Sequence, residues 1–81
     1  MRIYKYDISN GKANIPERAK ILNAGYQGNT LVVWAEVDIH AKVRTRFFEV
    51  LPTGVDRDMA YTTFINTVFD HGLVFHVYLR H

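Results

Sequence analysis

Thr30-Leu31-Val32-Val33-Trp34-Ala35-Glu36-Val37-Asp38 is the stretch that decides the fold class. β-Branched and aromatic residues fill it, and its centre is apolar at both alternating positions. That pattern reads as a central strand covered on both faces. Turn chemistry bounds it: Tyr26-Gln27-Gly28-Asn29 reads as a hairpin connection before it, and Ile39 to Ala41 as the link after it.

Working outward, Ile3 to Asp7 alternates tyrosines against Ile3 and Lys5 and reads as a strand ended by Ser9-Asn10-Gly11. Ala19 to Gly25 is a second apolar stretch. Lys42 to Leu51 is a long strand stopped by Pro52-Thr53-Gly54, and Thr62 to Phe69 and Leu73 to Leu79 are the last two. Residues 12–18 contain Pro16 and read as loop. Residues 55–61 suit a short helical turn capped by Asp56, and Asp70-His71-Gly72 suits a three-residue hairpin loop. The pattern predicts one all-β, β-rich domain over residues 1–81. Its architecture is a compact antiparallel sandwich or half-open barrel of about six short strands.

The composition narrows the class. With 48% hydrophobic residues the chain is not disordered, and no apolar run approaches a membrane span. Met1-Arg2 opens no signal-peptide core, so a cytoplasmic location is expected. There is no cysteine, hence neither a disulfide nor a thiolate nucleophile. A chain of 81 residues without staples is marginal unless its core packs well or it self-associates. Most of its many aromatics are therefore expected in the core, with one or two left to stack on a ligand or line a subunit interface. A net charge of +2 admits an anionic ligand but is a small footprint for nucleic acid.

No catalytic constellation emerges. Ser9 is the only serine and sits in a turn. The four histidines offer at best His71 and His76 across a hairpin, and no third metal ligand converges on them. Glu36 and Asp38 share a strand face with Glu49 on the next strand, and read as solvated charges. No cofactor and no metal are predicted. The clearest chemical signal is a basic row. Lys42, Arg44 and Arg46 alternate, emerge from one strand face and give way to Phe48 and Val50 at the same parity. Guanidinium forks suit phosphate oxygens, and an adjoining aromatic suits a base. Trp34, His76 and Tyr78 complete the set of candidate ligand-binding residues.

Four segments also resemble, in order, a family of small bacteriophage proteins of unknown function. They are the opening Met1-Arg-Ile-Tyr-Lys-Tyr6, the strand Leu31-Val-Val-Trp-Ala-Glu-Val-Asp38, Phe48-Glu-Val-Leu-Pro-Thr-Gly54 and Gly72-Leu-Val-Phe-His-Val-Tyr78. Residues 55–66 depart from that pattern. The resemblance implies a phage origin, a compact β-rich fold and a place in the host cytoplasm. It implies no enzymatic activity.

These features lead to an expected non-enzymatic, anti-defence binding protein. It would be a homo-oligomer that sequesters a small anionic, nucleotide-like ligand such as a host immune signal. The alternative is a protein-interaction module that inhibits a host enzyme through an exposed sheet edge, the first or last strand being the natural edge. Nucleic-acid binding through the basic row ranks third.

Overall fold

The structure is a computed structural model covering all residues, Met1–His81. Its seven strands in chain order are β1 (Arg2–Asp7), β2 (Lys12–Pro16), β3 (Lys20–Gln27), β4 (Thr30–Val37), β5 (Val43–Pro52), β6 (Thr62–Asp70) and β7 (Leu73–Arg80). They form two antiparallel sheets, β1-β4-β3 and β2-β5-β7-β6, stacked as a sandwich. The domain is all-β, and neither sheet closes into a barrel.

β4 is the central strand of the first sheet, as its two-sided apolar pattern requires. Leu31, Val33, Ala35 and Val37 face the second sheet and are buried. From the second sheet, Phe48, Val68, Val77 and Leu79 meet them, with Ile8 and Ile15 closing one side. The core is thus aliphatic. Phe48 is its one buried aromatic, which corrects the expectation that most aromatics lie inside. Tyr6, Tyr26 and Phe75 only border it, while Phe47, Tyr61, Phe64 and Phe69 are exposed.

Three readings of the loops change. Lys12–Pro16 is a strand, not a loop. Glu17 donates to the Lys42 carbonyl and Phe48 to that of Gly11, so odd-numbered residues of this segment bond to β5. Pro16, at an even position, lacks an N–H only where it would point away from the sheet, which is where an edge strand tolerates it. The β6–β7 connection has two residues rather than three, because Asp70 pairs with Leu73. His71 and Gly72 both have positive φ, 49° and 83°, the signature of a type I′ turn.

The helical turn at 55–61 is absent. β5 and β6 both run antiparallel to β7, which lies between them. The chain must therefore return along the sheet from the Phe75 level to the Arg80 level and across two strand spacings, about 20 Å in all. Ten helical steps supply only about 15 Å. An extended strap results, crossing the outer face of the second sheet. Arg57 reaches to 3.8 Å from Glu49, and Leu51 beneath is only 8% exposed.

The two sheets are joined along β3 and β6 by a side chain. β3 carries a bulge between Ile21 and Asn23, and β6 one between Phe64 and Asn66. Each extra residue shifts the parity of the strand beyond it. Ala24 and Asn66 consequently both turn inward. The Ala24 N–H donates to Asn66 Oδ1 at 2.7 Å, and Asn66 Nδ2 donates to the Ala24 carbonyl at 2.9 Å. The amide thus replaces a missing neighbour strand at Ala24, a residue only 2% exposed. Substituting Asn66→Leu strands both backbone groups, each worth about 1–3 kcal/mol when buried and unpaired. We expect a loss of roughly 2–4 kcal/mol in urea unfolding. Asn66→Asp should recover little, since it restores the acceptor but faces the carbonyl with a second oxygen.

At the β1–β2 turn, the Ser9 N–H and Oγ–H donate to Asp7 Oδ1 at 2.8 and 2.5 Å. These bonds, side chain first, hold the Asp7 carboxyl below its ordinary value of 3.8. A lowered native pKa contributes stability above the unfolded-state value, and that contribution is lost as pH falls through the native one. Thermal melts between about pH 5 and about pH 2 should therefore fall less steeply for Asp7→Asn than for the unsubstituted chain.

Candidate functional site

β5 is longer than either of its partners. β2 pairs with Val43–Phe47, and β7 with Phe47–Pro52. Beyond Arg80, the end of β7, residues 43–46 therefore have a neighbour on one side only. Because the even-numbered residues of β5 turn their amides to β2, Thr45 directs its N–H and C=O to the open side. The space there is a notch of about 420 Å³ lined by Arg44, Thr45, Arg46, Phe47, Arg80 and His81.

The lining side chains arrive from both faces of the sheet. Arg44 and Arg46 lie opposite Ile15 and Ala13 and continue the inward row of Phe48 to where the sandwich opens. Neither guanidinium is engaged in an ion pair or a hydrogen bond with the protein. Phe47 and Arg80 come from the outer face, where they are cross-strand partners. Arg80 donates to Glu49 Oε1 through Nη2 at 2.7 Å and Nε at 3.1 Å, leaving Nη1 free. His81 donates its backbone N–H to the Tyr61 carbonyl, 2.7 Å away, and its ring Nε2 is 2.6 Å from the Thr63 hydroxyl. No Asp or Glu side chain lines the notch. Three guanidinium groups, an imidazole and an outward amide N–H around one opening form a donor-rich site, whose chemistry is complementary to an anion.

Of the residues singled out in the sequence, Arg44 and Arg46 reach this notch. Lys42 precedes β5, is exposed and lies outside it. Trp34 is on the outer face of the other sheet, its ring close over Gly25. Tyr78 and His76 lie on the outer face of β7. Tyr78 stacks at a tilt on Phe64 with centroids 5.2 Å apart, and His76 is held between Thr53 at 2.7 Å and Thr67 at 3.0 Å. The six candidates therefore do not form one pocket. Glu36 and Glu49 belong to different sheets, and His71 pairs with Asp70 in its turn at 2.5 Å. No group of three potential ligands is placed to hold a metal ion.

Sequence reasoning missed Phe47, Arg80 and His81. The signal was a basic Arg80-His81 pair directly after the last apolar strand. Its meaning depends on the offset between β5 and β7, which residue patterns do not carry.

A family model described as Domain of unknown function (DUF7352) matches residues 1–81. The chain belongs to this family. No curated protein and no solved structure matches it. The family description names no activity.

Phe47 and Phe48 separate site from core. Phe47 is 52% exposed and Phe48 6%. Phe47→Ser should cost under about 1 kcal/mol in denaturant unfolding. Phe48→Ala should cost about 3–5 kcal/mol in the same measurement.

Proposed function

We propose that this protein acts by binding, and that the notch at the end of β7 captures a small phosphate-bearing ligand. The observation that carries this reading is the convergence of Arg44, Arg46, Arg80 and His81 on the open amide of Thr45, with no Asp or Glu side chain in the lining. A volume of about 420 Å³ lies within the range of small-molecule sites. The unpaired guanidinium groups of Arg44 and Arg46 would take phosphate oxygens, and the exposed ring of Phe47 would stack against a base. A nucleotide-like molecule combines both features. A net charge of +2 and a notch of six residues suit such a ligand better than a nucleic acid. Taken with the resemblance to small bacteriophage proteins, the ligand would be a nucleotide signal of host defence, held in the host cytoplasm without turnover.

Titration calorimetry with cyclic nucleotides, ADP-ribose and inorganic pyrophosphate tests the proposal. Each arginine contact to a phosphate should contribute about 1.5–3 kcal/mol, roughly 10- to 100-fold in affinity. Arg44→Glu combined with Arg46→Glu should then abolish measurable binding while leaving the unfolding midpoint nearly unchanged. Glu49→Gln should tighten binding by freeing Arg80. Absence of any binding tighter than millimolar across the panel would remove the proposal.

A further inference from the structure

Four strands edge the two sheets, and three of them are protected. β3 is bulged at Leu22 and closed at Ala24 by Asn66. β6 is bulged next to Asn66 and faces β3 there. β2 is five residues long and ends in Pro16. β1 has none of these devices. It is six residues long without proline, glycine or bulge, and pairs in regular register with β4 from Arg2↔Val37 to Asp7↔Val32. Ile3 is 60% and Tyr4 41% exposed. The Ile8 N–H donates to the Leu31 carbonyl, so even-numbered residues bond to β4. Ile3, Lys5 and Asp7 therefore direct their N–H and C=O groups outward, and nothing in the chain pairs with them. A bare edge of this kind is a template for another strand.

We infer that the occupant is β1 of a second copy, paired antiparallel about a two-fold axis at Tyr4. A two-fold joining antiparallel strands runs perpendicular to the sheet and keeps each face continuous, so opposed residues must share parity. Four centred registers that overlap at least three strand residues satisfy this. An axis at Lys5 sets two ammonium groups directly opposite one another, which is repulsive. An axis at Ile3 overlaps only Arg2–Tyr4, and one at Tyr6 only Lys5–Asp7. An axis at Tyr4 overlaps Arg2–Tyr6 without opposing like charges. In that register Ile3 and Lys5 exchange their outward hydrogen bonds with the partner's Lys5 and the partner's Ile3. Arg2 meets the ring of the partner's Tyr6, a cation–π arrangement. The product is one six-stranded sheet, β3-β4-β1-β1-β4-β3, with two bare edges removed. The inference stands apart from the anion-binding notch.

The chain has no cysteine, so single substitutions report the register directly. At a non-hydrogen-bonded antiparallel pair the Cα atoms are about 4.5 Å apart, within disulfide reach. Under mild oxidation Tyr4→Cys should form covalent dimer at least about tenfold faster than Ile3→Cys or Lys5→Cys. Sedimentation of the unsubstituted chain at high micromolar concentration should give the mass of a dimer. Lys5→Pro removes an outward N–H and no bond to β4, and should give a monomer with an unchanged circular dichroism spectrum. A monomeric unsubstituted chain, equal cross-linking of the three cysteine variants, or fastest cross-linking at position 3 or 5 would overturn the inference.

Discussion

The paired hydrogen bonds between Asn66 and the backbone of Ala24 make one object of two sheets. Antiparallel sheets stacked face to face are held mainly by apolar burial, which is non-directional and leaves sliding inexpensive. Here the amide fixes the lateral position of β3 over β6 to a single residue, because only Ala24 presents both its N–H and its C=O at that point. The two bulges make this possible. Without the one at Leu22, Ala24 would turn to the outer face of the first sheet. Without the one at Ile65, Asn66 would stand beside His76 on the outer face of the second. Each bulge makes sense only in the presence of the other.

A different offset shapes the notch. Phe47 is the one residue of β5 paired on both sides, with Lys12 of β2 and Arg80 of β7. Ten residues of β5 are shared by neighbours that overlap at a single position. The unshared half exposes the amide of Thr45, and the basic side chains gather there because the apolar sandwich has ended. Arg44 and Arg46 are the outward continuation of the row that begins in the core with Phe48. The same row is thus packing at one end and chemistry at the other, and the transition falls at the end of β7.

The features legible in the sequence came from composition and alternation. The run from Leu31 to Val37 declared a central strand because both of its faces are apolar. The basic row was visible because period two puts Arg44 and Arg46 together. Features that depend on pairing were not visible. Pro16 reads as a breaker until one knows which way its missing N–H points. Residues 55–61 suit a helical turn until the distance they must span is known. The last strand, expected at an edge, is interior in β2-β5-β7-β6, and this inversion hid Arg80 and His81. Trp34, a natural stacking candidate by type, lies on the other sheet because β4 faces the core with its small and aliphatic side.

The placement of the aromatics reflects the thinness of the core. The molecule measures 18 Å along its shortest axis, enough for two sheets about 10 Å apart and little else. Between them lie the small side chains of Ala24 and Ala35, and Val33, Val37 and Val77 fill the layer. Large rings fit poorly there, so only Phe48 enters. The others are displaced to outer faces and edges, where their apolar area remains available. A small sandwich with an aliphatic core therefore carries much of its aromatic area on its surface. Phe47 stands beside unpaired guanidinium groups at one end, and Tyr4 lies along an unpaired strand edge. Each combines apolar area with unsatisfied polar groups, and that combination is what the two proposals rest on.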